Sequence, residues 1–158
     1  MRVQDQVVRQ TQRALEDVLR AAAALPPDRL AWQPAETSRS ALNQLQELAV
    51  SASWFLPILS EGHFPEFGDH ARRETERIRE SLDTLEKCRD QARDGTAQLC
   101  QAIAQFPDGR LEDEILVPFG GGMTLTMADV LGLHAWNLTY HLGQINYLQT
   151  MIGDREMH

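Results

Sequence analysis

Near the carboxyl end of the chain, polar side chains recur at the three- and four-residue spacing of a buried helix face. His134, Asn137, His141 and Gln144 are separated by three, four and three residues, which places them on one face of a helix. A buried polar group without a partner costs about 1 to 3 kcal/mol. Four such groups on an inner face therefore predict a hydrogen-bond network, a water-filled pocket or a bound ion inside the fold.

A second stripe, in "LNQLQELAVSASW", has similar spacing. It runs through Asn43, Glu47, Val50 and Trp54, and Glu47 is the lone carboxylate of that run. A carboxylate opposite histidines can ligate a divalent cation, or it can hold an imidazolium and fix its tautomer as an acid/base pair. We predict that Glu47 faces His141 inside the protein; the alternative is that Glu47 points to solvent.

Two helices are predicted in the first half of the chain, and a third follows. The first covers about residues 2–24 and ends at the two prolines of "LPPDR". The second covers about residues 41–60, begins after a Ser40 cap and ends at the glycine of "EG". A charged segment from Arg72 leads into the third helix, whose apolar positions lie between Leu85 and Phe106.

The last helix follows "FPDGRLEDEILVPFGGGMT", whose Pro-Asp-Gly and triple glycine predict a turn or a short hairpin. Thr126 and Asp129 form a capping-box pattern, and the apolar pattern then continues to Ile152. Four principal helices, no strand–helix alternation and no internal repeat predict an all-α antiparallel four-helix bundle. We expect residues 1–158 to form this single domain.

Composition limits the classes of partner. The chain has 158 residues, a formal charge of −8 and a pI near 5.0, so its surface should repel nucleic acid and anionic membranes alike. The polar start "MRVQDQVVRQTQ" lacks the apolar region of a signal peptide, and no apolar run reaches transmembrane length. We therefore expect a cytoplasmic protein without nucleic-acid or membrane partners.

The two cysteines are predicted to be free thiols. Cys88 and Cys100 fall on one predicted helix, about 18 Å apart along its axis. That separation is too large for a disulfide between them. Neither residue belongs to a CxxC motif or has a nearby histidine, so a place in or beside the core is expected.

The segment "NLTYHLGQINYLQ" resembles the last helix of the DinB/YfiT-like family, in which a histidine is followed four residues later by "HxGQ". His141, Gly143 and Gln144 match that motif, and "SALNQLQELA" and "GGMTLTMADVL" fit the family's layout over nearly the whole chain. The resemblance implies a four-helix bundle, often dimeric, that holds Ni²⁺ or Zn²⁺ on three histidines. Some members act as thiol-dependent S-transferases or as hydrolases.

This sequence departs from the three-histidine set that the resemblance implies. In the family's register, the helix-two histidine falls at Glu47, the first histidine of the last helix falls at Asn137, and His141 alone is kept. Glu47, Asn137 and His141 are therefore the predicted metal ligands, a harder set that should bind Zn²⁺ or Ni²⁺ more weakly than three imidazoles. The residues that could complete or support this site are His134, Gln144, Asn43 and Tyr140, with His63, Asp69 or His70 from the loops.

Two functions are compatible with these residues. The first is a divalent-metal-binding transferase or hydrolase that acts on a small substrate, with a thiol as one candidate cosubstrate. The alternative is a non-catalytic dimeric bundle that binds a small molecule or partner through a polar core pocket and holds no metal. A polar core without catalytic function also fits the pattern.

Overall fold

The computed structural model describes residues 1–66, 68–118 and 121–158. Side chains of Ser40, Thr84 and Thr126 cap three of its helices, and a two-stranded hairpin separates the last two helices from the rest. The elements within the described residues are α1 (Val3–Ala23), α2 (Ala41–Glu61), α3 (Asp69–Ser81), α4 (Leu85–Gln105), β1 (Glu114–Val117), β2 (Met123–Thr126), α5 (Met127–Leu131) and α6 (Leu133–Met151).

Four long helices form the bundle that the sequence predicts. Both α1 and α2 pack against α4 and against α6, and α3 packs on the outside of α2. The helices α2 and α6 run antiparallel, because His141 contacts the start of α2 while His134, earlier in α6, contacts Ser51 further along α2. The predicted all-α four-helix bundle is confirmed.

The start of α2 is fixed by its cap. The Ser40 hydroxyl accepts a hydrogen bond from the Asn43 amide at 3.1 Å, as the sequence predicts. The Leu42 amide also donates to the Leu30 carbonyl at 2.8 Å, which ties the preceding connector to the helix. Gly62 ends α2 with a φ of 74°, a left-handed conformation that favours glycine. These ends place Gln44 and Glu47 in the first two turns of α2.

The charged segment does not run straight into the third bundle helix. It forms a helix of its own, α3, whose surface is held by pairs such as Glu74–Arg77 and Glu76–Arg79. The chain leaves helical geometry at Leu82, with φ −88° and ψ 67°, and Thr84 caps a new helix, α4. The sequence pattern predicts that the charged segment leads into the third helix. This prediction was wrong, because the segment forms a separate helix that ends before Leu82.

The predicted hairpin and capping box are both present before the last helices. Strand β1 pairs antiparallel with β2. Thr126 Oγ1 accepts from the Asp129 amide at 3.2 Å, and the Asp129 carboxylate accepts from the Thr126 amide at 3.1 Å. The helix that follows is not continuous, however, because it is interrupted at Gly132 between α5 and α6. The prediction of one unbroken last helix was wrong there.

Burial agrees with the predicted state of the cysteines. Cys88 and Cys100 are both free and buried, and burial raises the pKa of the Cys88 thiol to about 11 and also raises that of Cys100. Both thiols are therefore poor nucleophiles at neutral pH.

Among the helices of the described residues, none has the length and apolar character needed to cross a bilayer.

The contact between α2 and α4 depends on a glycine. A Cβ atom added at Gly95 would lie 3.3 Å from the Ala52 Cβ, closer than ordinary van der Waals contact. Gly95 therefore allows the two helices to approach, at the cost of weaker helix propensity in α4.

We predict that Gly95→Val lowers the free energy of unfolding by about 1 to 3 kcal/mol, because its added methyl groups overpack the α2–α4 contact. Ala97→Val, on the exposed side of the same helix, should cost less than about 1 kcal/mol through helix propensity alone. Urea denaturation of both variants measures the difference. Equal losses would show that crowding at Gly95 is not important.

Candidate functional site

His141 is the centre of a polar network between α6 and α2. Its side chain is 1 % exposed. Its Nδ1 atom lies 3.1 Å from the amide oxygen of Gln44 and 3.1 Å from that of Gln144. Its Nε2 atom lies 3.1 Å from the Oε1 atom of Glu47. The structure thus brings Glu47 and His141 together, as the stripe spacing predicts.

Oxygen atoms face both nitrogens of the His141 ring. A doubly protonated imidazolium satisfies this arrangement, because each N–H then donates to an oxygen. A neutral ring would need the amide of Gln44 or Gln144 turned so that its NH₂ group donates to Nδ1. In either form, both ring nitrogens are occupied by protein side chains.

Glu47 is held from its other side by an arginine. The Arg39 Nη2 atom lies 2.7 Å from Glu47 Oε2, and Arg39 Nε donates to the Asn43 side-chain oxygen at 2.7 Å. The hydrogen bond from His141 lowers the pKa of the half-buried Glu47 carboxyl, with Arg39 assisting and burial opposing, to about 2. Glu47 is therefore an anion between two nitrogen groups across the neutral pH range.

Two members of the network are not among the residues that the sequence pattern predicts. Gln44 is 2 % exposed and follows Asn43, the residue that the predicted stripe contains. Gln44, Leu48 and Ser51 are four and three residues apart and are all buried, so this helical spacing could have predicted that Gln44 faces the core. Arg39 precedes α2 in an irregular connector, where helical periodicity carries no information. Asn43 is nevertheless part of the site, because it orients Arg39.

His134 belongs to a separate cluster. Its Nε2 atom lies 3.0 Å from the Thr96 hydroxyl, and its Nδ1 atom lies 3.4 Å from the Ser51 hydroxyl. The Phe55 ring packs 5.8 Å away, and burial lowers the pKa of His134 to about 4. His134 is thus a neutral core residue that is hydrogen-bonded to two hydroxyls, and within the described residues no hydrogen bond or ring contact joins it to His141.

The other predicted residues have different surroundings. Asn137 is 8 % exposed, and its buried Nδ2 atom has no hydrogen-bond partner within the described residues. Tyr140 is 51 % exposed. Its ring meets the His141 ring edge-on at 5.3 Å and stacks on Trp136 at 5.5 Å. Tyr140 therefore covers His141 from outside.

A surface groove of about 430 Å³ lies beside the His141 network. Its volume is within the usual range of small-molecule sites. Polar side chains of the network and apolar side chains of α6 both contribute to it. The lining includes Arg39, Gln44, Gln144, Tyr140, Tyr147 and Met151. Arg39 binds Glu47, and Gln44 and Gln144 bind His141. A molecule in the groove would therefore contact the network through these three side chains.

Residues 10–145 match the sequence profile of the DinB superfamily. The chain belongs to the DinB superfamily. The match includes α2, the hairpin and the α6 residues as far as Ile145, so it contains the whole Arg39–Glu47–His141 network. No curated protein gives a significant match to the sequence.

The solved structures that share this fold include the following three. YfiT from Bacillus subtilis, described as a probable metal-dependent hydrolase with an unusual four-helix bundle topology, aligns with a TM-score of 0.74 at 14% identity, covering 96% of this chain and 88% of YfiT. A DinB-like protein of Bacillus subtilis, YjoA, aligns at 0.66 and 21% identity, covering 97% and 95%. The colibactin self-resistance protein ClbS, solved with double-stranded DNA, aligns at 0.66 and 18% identity, covering 92% and 94%.

The donor set at His141 does not fit the divalent ion that the DinB family resemblance implies. One imidazole is present, and both of its nitrogens are bound to side chains. The one carboxylate is ion-paired with the Arg39 guanidinium. Within the described residues, no cluster of three or more His, Cys, Asp or Glu side chains could hold a metal. Arg39 is thus a cation already bound to the carboxylate that a metal would use.

We predict that His134 makes the protein less stable in mild acid. Its pKa falls from 6.5 to about 4 on folding, so between these pH values the unfolded chain binds a proton that the folded chain does not. The free energy of unfolding should therefore have its full value above pH 6.5. It should decrease by about 3 kcal/mol in total as the pH falls to about 4.

Urea denaturation across this pH range tests the His134 prediction. His134→Gln should remove most of the decrease in stability, even if the variant is less stable at neutral pH. His70→Gln, at an exposed position of α3, is the control and should keep it. A decrease of the same size in His134→Gln would assign the acid sensitivity to other groups.

Proposed function

We propose that this DinB-superfamily protein binds a small molecule in the groove beside His141 and does so without a resident divalent ion. The observation that carries this proposal is the 2.7 Å ion pair between Arg39 and Glu47. It favours the second of the two functions that the sequence allows, a binding bundle with a polar pocket.

Charge is the first support for a metal-free site. A divalent ion bound to Glu47 would lie close to the Arg39 guanidinium, which keeps its charge at all relevant pH values. Two like charges a few ångströms apart repel each other strongly where water is partly excluded, and the side chain of Glu47 is only 22 % exposed. Metal binding would therefore require Arg39 to leave its carboxylate.

The occupied nitrogens of His141 are the second support. A general base needs a free nitrogen within hydrogen-bond reach of the substrate proton. Here Nδ1 faces Gln44 and Gln144, and Nε2 faces Glu47. The imidazole is thus engaged in holding the network together, which favours binding over turnover in this arrangement.

The competing function is a metal-dependent hydrolase or transferase. Its support is the description of YfiT as a probable metal-dependent hydrolase, together with the shared fold. For this chain, that function would require Arg39 to move away from Glu47 and the glutamines to move away from His141. Glu47, Asn137 and His141 stay the predicted ligands under that alternative, with Ni²⁺ or Zn²⁺ as the ion.

A small molecule is a better candidate ligand than DNA. ClbS was solved with double-stranded DNA, but this chain has a net charge of −8, and phosphate binding draws on Lys and Arg surfaces. The homodimer that the family resemblance implies stays a prediction.

Nickel titration of untagged protein tests the metal-free site. We expect the wild type to bind no stoichiometric Ni²⁺. The triple variant Arg39→Met, Glu47→His and Asn137→His should bind one ion per chain, because it restores three imidazoles and removes the guanidinium. Isothermal titration and the shift in melting temperature on adding Ni²⁺ measure binding.

The matched control keeps Arg39. Arg13 is a surface residue of α1 with 86 % of its side chain exposed. The variant Arg13→Met, Glu47→His and Asn137→His carries the same new imidazoles and should bind Ni²⁺ at least about tenfold more weakly. Stoichiometric Ni²⁺ or Zn²⁺ in the purified wild type, or equal affinities of the two triple variants, would contradict the proposal.

A further inference from the structure

We infer that the ligand of this groove is a small aromatic carboxylate, whose carboxylate binds Arg39 and the amides of Gln44 and Gln144. The inference rests on the proposed function, because it names the ligand class of the same groove. Hydrogen-bonding groups, charge and the apolar walls each point to this class.

The polar side of the groove offers donors that lack acceptors. Gln44 and Gln144 both direct their amide oxygens to His141, so each amide NH₂ group points elsewhere, and a neutral His141 ring would need only one of the two amides turned toward it. Neither NH₂ group has a hydrogen-bond partner in residues 1–66, 68–118 and 121–158, and all three groove residues, Arg39 included, line the cavity. An incoming ligand would therefore satisfy them with acceptor oxygens.

Arg39 adds charge to these donors. Its Nε and Nη2 atoms bind Asn43 and Glu47, whereas its Nη1 atom makes no hydrogen bond to the described residues. Among the described residues lining the groove, Arg39 is the one charged side chain, although the protein as a whole has a charge of −8. The N–H groups of Nη1 can donate to a second carboxylate while Nε and Nη2 hold Asn43 and Glu47, which favours an anion over a cation.

The walls of the groove fit an aromatic body. Tyr140 and Tyr147 lie seven residues apart on α6, both more than half exposed, and Met151 continues the same side. Aromatic and methionine side chains pack well against ring-shaped ligands. A bare inorganic anion would leave these walls uncovered, whereas an aromatic carboxylate contacts both the donors and the walls.

Binding of matched probes tests the ligand class. The probes are 3-phenylpropanoate, its neutral amide 3-phenylpropanamide, the cation 3-phenylpropylamine, and acetate, which lacks the ring. We expect 3-phenylpropanoate to bind at least about tenfold more tightly than each of the others at neutral pH, measured by isothermal titration and by the shift in melting temperature.

Variants assign the binding to named groups. Arg39→Gln should reduce the affinity for 3-phenylpropanoate at least about tenfold, to that of the amide, while Arg13→Gln should leave it unchanged. Because Arg39 also supports Glu47, circular dichroism must show that Arg39→Gln is folded. Tyr147→Ala, at a surface position 66 % exposed, gives an independent check. It should weaken the binding of 3-phenylpropanoate but not the binding of acetate.

The outcomes separate the ligand class from the proposed function. An amide or amine that binds as tightly as the carboxylate, or a carboxylate affinity that neither Arg39→Gln nor Tyr147→Ala weakens, overturns the ligand class and leaves a metal-free binding groove. Absence of binding by every probe at millimolar concentration overturns the ligand class as well. The proposed function itself fails on a different measurement, stoichiometric metal in the wild type.

Discussion

A carboxylate in the wall of a helical bundle is costly unless its charge is matched, and Glu47 meets this condition by binding Arg39 on one side and His141 on the other. The three residues come from the connector before α2, from α2 itself and from α6. Their contacts can form together only when α6 lies in one register against α2. The ion pair thus links the chemistry of the site to the packing of the bundle.

The Arg39–Glu47 ion pair is the feature of this chain that differs from the metal chemistry that the family resemblance implies, although the fold is the same. The bundle is shared with YfiT, YjoA and ClbS at TM-scores of 0.66 to 0.74, yet an arginine here contributes the positive charge beside the carboxylate. A protein architecture can keep its helices while its site changes, because packing requires apolar periodicity and the site requires only a few side chains. The DinB superfamily match therefore says more about the scaffold than about the ligand.

The sequence predicts those features that depend on local periodicity and capping. The bundle, the Ser40 cap, the Thr126–Asp129 box and the meeting of Glu47 with His141 all follow from spacing. The breaks at Leu82 and Gly132 do not, because tertiary packing decides whether a short helix continues.

Two site residues could not be predicted by the same means. Arg39 lies in an irregular segment, where spacing does not indicate direction, and its partner Glu47 is known only once the helices are placed. Gln44 lies next to Asn43, the residue that the stripe favours. Leu42 and Leu45 flank this pair, so the apolar pattern does not decide which of the two polar residues faces the core. The structure also separates His134 from His141, although both share one stripe of α6.

The stacked pair of Trp136 and Tyr140 gives the groove a natural optical signal. The Trp136 indole is 65 % exposed and lies on the Tyr140 ring, which in turn touches His141 and lines the groove. A molecule that enters beside Tyr140 would change the polarity around this indole, and its emission wavelength would change with it. Occupancy could thus be followed by intrinsic fluorescence, without a label, in a variant that keeps Trp136 and replaces the other two tryptophans of the chain.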